Sequence, residues 1–452
     1  MSGFKPFAWE GIKVHSSGLR YNVRLEDYVL RGESGGEEAV MFTWSYTMEK
    51  GDPSRPVIFA YNGGPGSPSA WLHMGLLGPK LVEIPGYPSF SEGWRIRDNE
   101  EFLLDQCDLV LVDPAGTGWA GLLDQKAAGE YYSVAGDGRA FARLIAGWLK
   151  DRGREKSPVY ILGESYGTIR SLALADALPE TIDLRGIIHI GVSFNVGAKG
   201  AMYVEPNVRR LGANAAACRY HYHQDVEEEK FIKDAMEFAC GDYARALLLG
   251  SRLDRKEYEE VLGRLAYYTG LDPDMLRRNH LRFSEQDFML GLVPGSLLSM
   301  YDSRLTHVFK SGEDSTKYDL KYDPFMEGAA DIFEEALLQY AGSELAVPEG
   351  RRREASSVDI AERWDYAGYK KDTLALPEEL MKVRPRLQML FVSGRYDLSS
   401  TFDFVDWYLS HYDLDPERTD RLVLPSGHAS YVGAGMAEEL SRRIRKFVCS
   451  SR

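Results

Sequence analysis

The stretch Val159-Tyr160-Ile161-Leu162-Gly163-Glu164-Ser165-Tyr166-Gly167 decides the fold class of this 452-residue chain. Its first four residues form an apolar run, which is typical of a strand buried on both faces of a sheet. Residues 169–178 are rich in alanine and leucine and predict a helix packed against that sheet. A Gly-x-Ser-x-Gly sequence between a strand and a helix favours a nucleophile elbow that exposes Ser165 on a sharp turn. The alternative is an ordinary glycine-rich turn between the same two elements.

Apolar runs of the same kind recur along the chain and predict further buried strands. They lie at residues 57–61, 109–112, 187–192, 387–392 and 421–424. Before them, residues 19–25 and 40–46 alternate in polarity and predict two strands joined by a turn at Gly35-Gly36. Between the apolar runs, residues 141–149 carry apolar side chains on one helical face. Strands alternating with helices predict an α/β fold with a mostly parallel central sheet flanked by helices.

The sheet signal disappears between about residues 195 and 383. This stretch is charged, and residues 226–240, 256–268 and 330–340 carry apolar side chains at helical spacing. We therefore predict an α/β core formed by residues 1–195 and 384–452, with a mainly helical cap insertion at residues 196–383. The alternative is that the inserted stretch folds as an independent domain.

The composition excludes several classes of function. The chain has 68 acidic and 54 basic residues and a net charge of −14, which argues against a nucleic-acid partner. We predict that the run Arg351-Arg352-Arg353 is a solvated loop. No apolar stretch reaches the length of about 18 residues that a membrane helix needs. The N-terminal residues lack the apolar segment of a secretory signal, and the four cysteines lack metal-binding spacing. We expect a cytoplasmic enzyme with reduced thiols, no membrane partner, no metal and no cofactor.

A serine nucleophile needs a histidine base that a carboxylate holds in place. On a sheet of this kind the acid and the histidine follow the serine, on loops after late strands. Downstream of the predicted cap only His411 and His428 remain, and His411 ends a predicted helix. His428 follows the strand at 421–424, and Asp397 follows the strand at 387–392. We predict a catalytic triad of Ser165, Asp397 and His428. The alternative is that Asp397 caps a helix and His428 is a solvated loop residue.

The developing oxyanion needs two backbone N–H donors. Tyr166, which follows the nucleophile, supplies one, and we assign the other to Gly64 in the loop Asn62-Gly63-Gly64-Pro65-Gly66. A plain turn is the alternative for that loop. The later turn Asp113-Pro114-Ala115-Gly116-Thr117-Gly118 lacks the Lys-Ser/Thr of a phosphate loop, which argues against a nucleotide.

Several segments together resemble the motifs of the serine carboxypeptidase family, from about residue 35 to the end of the chain. They are Asn62-Gly63-Gly64-Pro65-Gly66, Asp113-Pro114-Ala115-Gly116-Thr117-Gly118-Trp119, Gly163-Glu164-Ser165-Tyr166-Gly167, Ser393-Gly394-Arg395-Tyr396-Asp397 and Ser426-Gly427-His428. The chain looks like a bacterial-type member without a signal peptide. The resemblance implies an α/β-hydrolase fold, the triad named above, and release of C-terminal residues from peptides.

The resemblance also implies a site for the terminal carboxylate of the substrate, formed by Asn62, Gly63 and Glu164. Glu164 beside a second carboxylate would have to hold a proton, and burial at the elbow would raise its pKa. Three positions depart from the family pattern. Ser67 stands where many relatives have a disulfide cysteine, Leu76 where a second glutamate of the carboxylate site would align, and Ala429 where methionine is usual.

These observations leave more than one function open. The first is a serine-type carboxypeptidase acting through an acyl-enzyme on a peptide substrate. The second is an esterase or acyltransferase that uses the same triad, for example on a small ester. The third is a binding protein on a hydrolase fold, which the intact triad residues disfavour. A homodimer is possible, because relatives are often dimeric.

Overall fold

The computed structural model describes residues 4–194, 196, 205–310, 322–348 and 350–450. Asn195, at the predicted boundary between core and cap, lies outside these residues. The strands are β1 (Ala8–Val14), β2 (Arg20–Arg31), β3 (Glu37–Met48), β4 (Val57–Tyr61), β5 (Lys80–Glu83), β6 (Arg95–Asp98), β7 (Asp108–Asp113), β8 (Gly121–Leu122), β9 (Val159–Glu164), β10 (Leu184–Ile190), β11 (Ser296–Leu298), β12 (Thr306–Val308), β13 (Gln388–Gly394) and β14 (Thr419–Leu424).

Helices connect and cover these strands. The α-helices are α1 (Ala70–Leu72), α2 (Ala128–Tyr131), α3 (Val134–Asp151), α4 (Tyr166–Ala177), α5 (Pro206–Arg209), α6 (Leu211–Tyr222), α7 (Glu228–Phe238), α8 (Ala244–Leu249), α9 (Arg255–Thr269), α10 (Pro273–Arg278), α11 (Glu285–Gly291), α12 (Pro324–Glu344), α13 (Val358–Glu362), α14 (Leu376–Val383), α15 (Phe402–His411) and α16 (Met436–Ser450). Short 3-10 segments lie at Leu103–Asp105, Gln125–Ala127 and Gly250–Arg252, and π-helical turns at His73–Leu77 and Ala239–Tyr243.

The main sheet has the strand order β1-β2-β3-β7-β4-β9-β10-β13-β14, and β8 pairs with β3 at one side. The strands from β7 through β4 to β14 are parallel to one another, whereas β1, β2 and β3 pair antiparallel. This arrangement confirms the mostly parallel α/β sheet. Each predicted apolar run forms a strand of this sheet. The sequence analysis did not predict the exposed strand β1 or the amphipathic helix α16.

Both faces of the sheet are covered, which explains why its central strands are apolar throughout. In β4, Phe59 belongs to the core cluster that includes α3 and α4, and Ile58 belongs to the cluster that includes α12 and α16. Neighbouring residues of a strand point to opposite faces, so a strand buried on both sides needs no polar residue.

The chain between β10 and β13 is mainly helical and packs in two ways. Helices α6, α7, α9 and α11 share a core cluster of their own, which reaches Tyr396 and Phe402. Helix α12 instead contributes to a core cluster of the sheet, and α13 and α14 contribute to the other. The division into a core and one cap therefore stays a prediction. Of the helices in the described ranges, none is long and apolar enough to cross a membrane.

The prediction of a solvated loop is wrong for two of the three arginines at 351–353. The Arg353 side chain is 4% exposed, and its Nη1 lies 2.8 Å from Asp113 Oδ2, whose carboxylate is buried. Its Nε lies 2.5 Å from Glu334 Oε1. Arg351 pairs with Asp27, another buried carboxylate, at 2.7 Å. Only Arg352, which is 84% exposed, is solvated as predicted. Buried carboxylates need a paired cation, which a composition argument could not reveal.

We predict that Arg353→Ala destabilises the protein by about 3–5 kcal/mol, because it leaves the Asp113 carboxylate buried without its cation. Arg352→Ala, the matched control in the same run, should change the free energy of unfolding by less than about 0.5 kcal/mol. Urea denaturation at neutral pH measures both. Equal effects of the two substitutions would contradict the buried ion pair.

Candidate active site

The predicted site residues lie at or just after the ends of parallel strands. Asn62 follows β4, Ser165 follows β9, Asp397 comes shortly after β13, and His428 shortly after β14. The carboxyl ends of parallel strands meet at one edge of a sheet, which is where ligands bind in folds of this kind. The structure therefore brings these four residues to the same edge.

Ser165 lies on a sharp turn between β9 and α4. Its backbone has φ 57° and ψ −125°, a conformation that residues with a Cβ rarely adopt. Its N–H donates to Ile190 O at 2.8 Å, which ties the turn to the neighbouring strand. A strained residue of this type costs about 1–3 kcal/mol and persists only where its surroundings impose it. The sequence predicted such a sharp turn between strand and helix, and the role of Ser165 as a nucleophile stays a prediction.

The loop after β4 lies directly against this turn. A Cβ atom on Gly63 would lie 2.5 Å from Glu164 O and 2.6 Å from Tyr166 N, so only glycine allows this approach. Among the described residues, no acceptor takes a hydrogen bond from the backbone amide of Gly64 or of Tyr166. Tyr166 is the first residue of α4, where amides carry partial positive charge. The assignment of the two amides as oxyanion donors stays a prediction.

His428 and Asp397 form a buried pair. His428 Nδ1 lies 2.8 Å from Asp397 Oδ2, and the other carboxylate oxygen accepts from the Ser399 and Ser400 amides. His428 is 7% exposed and is therefore not a solvated loop residue. The N-cap of the following helix α15 is Thr401, so Asp397 does not cap that helix. His411, by contrast, is exposed at the end of α15.

The imidazole of His428 lies beside the elbow. A Cβ on Gly191, the residue after the Ile190 that binds Ser165, would come within 2.9 Å of His428 Cε1. Within the described part of the chain, no hydrogen bond links the Ser165 hydroxyl to His428. Such bonds are often long without substrate and tighten when it binds.

Electrostatics favour a histidine that can accept a proton. Burial by itself would lower the pKa of His428, but the Asp397 carboxylate reverses that effect, and the net pKa is raised. Glu164 adds to the increase. An imidazole with a raised pKa is a stronger base for the serine proton once it is neutral.

Glu164 is the centre of a second buried cluster beside the nucleophile. Asn62 Nδ2 donates to Glu164 Oε2 at 2.8 Å, and the Tyr431 hydroxyl donates to the same oxygen at 2.7 Å. Asn62 Oδ1 in turn accepts from the Leu72 amide at 3.1 Å. The cluster brings together Asn62 and Glu164 as the resemblance implied. Tyr431 was missed, and its only sequence signal is an aromatic residue in the histidine loop.

Burial raises the pKa of Glu164 to about 7. His428 and the hydrogen bonds from Tyr431 and Asn62 lower it, while Asp397 raises it further. The direction agrees with the expectation that burial at the elbow favours the protonated acid. A carboxyl group that holds a proton near neutral pH can donate a hydrogen bond to another carboxylate.

Arg170 holds the loop that carries Asn62. This fully buried side chain donates from Nη1 to Asn62 O at 2.6 Å and from Nε to Asp137 Oδ2 at 2.7 Å. Its guanidinium also lies 5.1 Å from the ring centre of Tyr166, the residue after the nucleophile. One cation therefore links the loop and the elbow.

The departures from the family pattern can be located in the structure. Leu76 is fully buried in the π-helical turn, and Ala429 is buried next to the histidine. The Ser67 hydroxyl accepts a hydrogen bond from Ser356 at 3.0 Å. All four cysteines are unpaired thiols. No group of three or more His, Cys, Asp or Glu side chains in the described ranges could hold a metal ion.

Comparison with known proteins identifies the fold but no sequence family. No family model and no curated protein matches the sequence. Among solved structures, a prohormone-processing carboxypeptidase of Saccharomyces cerevisiae is similar at 15% identity and a TM-score of 0.54, over 95% of this chain and 91% of that one. A juvenile hormone epoxide hydrolase of Bombyx mori matches at 12% identity and a TM-score of 0.40, over 95% and 79%. A peroxisomal alpha-beta-hydrolase of Saccharomyces cerevisiae matches at 10% identity and 0.39, over 100% and 92%. The chain has the α/β-hydrolase fold.

The raised pKa of Glu164 predicts a pH-dependent stability. Between its ordinary value of 4.5 and about 7, the folded protein binds more protons than the unfolded chain, so stability falls as pH rises. Glu164→Gln removes this titration. We expect the stability of the variant relative to the wild type to increase by about 3 kcal/mol across that window.

Urea denaturation at a series of pH values from about 4.5 to about 8 measures this difference. Glu180→Gln, at an exposed glutamate just after α4, is the matched control and should give a curve parallel to the wild type. If the curve for Glu164→Gln is also parallel to the wild type, folding does not raise the pKa of Glu164.

Proposed function

We propose that this protein is a serine hydrolase, and specifically a serine-type carboxypeptidase that releases C-terminal residues through an acyl-enzyme. The observation that carries the proposal is Ser165 on a strained elbow beside the buried Asp397–His428 pair. A serine at its ordinary pKa needs such a base to become a nucleophile. The α/β-hydrolase fold supports the assignment, because its nucleophile lies on this strand-to-helix turn.

The proposed reaction proceeds through an acyl-enzyme on Ser165. Ser165 Oγ attacks the scissile carbonyl carbon while His428 Nε2 takes its proton. The Nδ1–H of His428 donates to Asp397 Oδ2, which fixes the tautomer and stabilises the imidazolium that forms. The Gly64 and Tyr166 amides stabilise the oxyanion. His428 then gives the proton to the leaving amine, and water, activated by the same histidine, releases the acyl group from Ser165.

Carboxypeptidase specificity is supported by the cluster around Glu164. A protonated Glu164 can donate to the terminal carboxylate of a peptide, with the loop of Asn62 and Gly63 lying alongside it. An ionised Glu164 would repel that carboxylate. The site therefore favours substrates with a free C-terminus at pH values below the pKa of Glu164.

An esterase or acyltransferase is the second candidate. The observation that favours it is Leu76, which is fully buried and offers no second acid to a carboxylate-binding site. An ester or thioester substrate would use the same triad and oxyanion donors. The two candidates differ in whether a free C-terminus strengthens substrate binding.

We predict that Ser165→Ala and His428→Ala each reduce kcat by about four to six orders of magnitude, and Asp397→Asn by about four. Because the three residues act as a unit, the double variant of Asp397 and His428 should lose little more than His428→Ala alone. Peptide hydrolysis followed by mass spectrometry measures these losses.

Ser171→Ala is the matched control for the triad variants. This buried serine lies on α4, donates to Gly167 O and pairs with the Tyr61 hydroxyl at 2.8 Å, and among the described residues no hydrogen bond joins it to the proposed triad. It should retain most of the activity. Losses that multiply in the double variant, or a folded Ser165→Ala protein with more than about a tenth of the activity, would reject the triad.

We predict that KM for a peptide with a free C-terminus rises with pH through about 7, the pKa of Glu164. The C-terminally amidated peptide carries no terminal charge, so its KM should be nearly flat. Glu164→Gln keeps a hydrogen-bond donor that does not titrate and should flatten the free-peptide profile. A free-peptide KM that is already flat in the wild type would favour the esterase or acyltransferase.

A further inference from the structure

Tyr431 is a buried residue whose hydroxyl donates to Glu164. It is 2% exposed, and its hydroxyl lies 2.7 Å from Glu164 Oε2. Burial and the neighbouring Glu164 raise the pKa of this phenol well above its ordinary value, so it keeps its proton. The amide Nδ2 of Asn62 is also a donor by its chemistry. Glu164 Oε2 therefore accepts two hydrogen bonds.

The ring of Tyr431 packs against Gly75, where any side chain larger than hydrogen would clash with it. A Cβ on Gly75 would lie 2.3 Å from Tyr431 Cε2, and the next residue, Leu76, is wholly apolar. The ring is packed against the π-helical turn on this side and reaches Glu164 on the other. Its hydroxyl is thus held beside Glu164 Oε2 and the Asn62 side chain.

We propose that Tyr431 is a positioning residue: together with Asn62 it saturates Glu164 Oε2, which leaves the acid proton on Oε1 as the donor to the terminal carboxylate of the substrate. This inference rests on the proposed carboxypeptidase function. No other described donor reaches Oε1. An acid with two equivalent oxygens would present its proton to the substrate only part of the time.

The same hydrogen bond affects the titration of Glu164. The charged and polar groups that act on it are His428 and Asp397 from the triad, and Tyr431 and Asn62. Tyr431 stabilises the ionised form, because a carboxylate accepts a stronger hydrogen bond than a neutral acid. Removal of the hydroxyl should therefore raise the pKa of Glu164 and move its titration to higher pH.

The test is Tyr431→Phe, which removes the hydroxyl and keeps the ring against Gly75. At about pH 5.5, where Glu164 is protonated in both proteins, we expect KM for the free-C-terminus peptide to rise by up to about twofold, because the acid proton is then shared between the two carboxyl oxygens. The midpoint of its KM profile should move up by about one pH unit. The kcat for the amidated peptide should stay within about twofold of the wild type, because the triad is unchanged.

Tyr408→Phe is the matched control. Tyr408 is fully buried on α15 and donates to Leu374 O at 3.0 Å, so its variant also loses one buried hydroxyl. It should leave both KM and the midpoint unchanged. The free energy of unfolding measured against pH gives a second readout that does not depend on activity. The pH range in which Glu164 titrates should move to higher pH in Tyr431→Phe and stay unchanged in Tyr408→Phe.

The outcomes separate this inference from the function on which it rests. If the wild-type KM depends on pH and Tyr431→Phe changes neither KM nor midpoint, the role of Tyr431 is overturned and the carboxylate site stands. If kcat falls equally for both peptides, Tyr431 supports the elbow in general and the inference is again overturned. If the wild-type KM for the free-C-terminus peptide does not change with pH, both the proposed carboxylate site and this role of Tyr431 are contradicted.

Discussion

The strained turn at Ser165 is the constraint on which the site depends. A residue with a Cβ stays at φ 57° only because its surroundings leave no alternative. The Ser165 amide is tied to Ile190, and Gly63 lies so close to the turn that the backbone cannot relax toward it. Glu164, just before the turn, is buried, and the amide of Tyr166, just after it, has no acceptor among the described residues. The proposed nucleophile, the proposed oxyanion donor Tyr166 and the proposed acid for the substrate carboxylate thus depend on one backbone conformation.

Two buried ion pairs hold the loop that approaches this turn. Arg170 binds the carbonyl of Asn62 at its beginning. Asp113 accepts from the amide and hydroxyl of Ser69 farther along, at 2.8 and 2.7 Å, and is itself paired with Arg353. Charges buried in this way contribute little net stability, but removing one partner is costly. The pairs therefore fix the loop relative to the elbow, which is what preorganised oxyanion donors require.

The sequence alone was enough for the features that repeat or follow from chain order. Strands buried on both faces must be apolar, so β4, β7, β9 and β13 could be predicted. The loops that carry Ser165, Asp397 and His428 could be predicted from their places after β9, β13 and β14. The hydrogen bond from Tyr431 to Glu164 joins residues 267 positions apart, and that from Arg353 to Asp113 joins residues 240 apart. No periodicity reports such contacts, because they arise from the packing of separate elements. For the same reason the boundaries of the cap stay a prediction.

The most direct measurement of the central claim is the site of covalent labelling by a fluorophosphonate, which reacts with a serine activated by its neighbouring base. The labelled protein is digested and the modified peptide identified by mass spectrometry. The account predicts one adduct per chain, on Ser165, which disappears in His428→Ala while that variant stays folded. An adduct on another serine, or labelling of Ser165 that persists undiminished without His428, would contradict it.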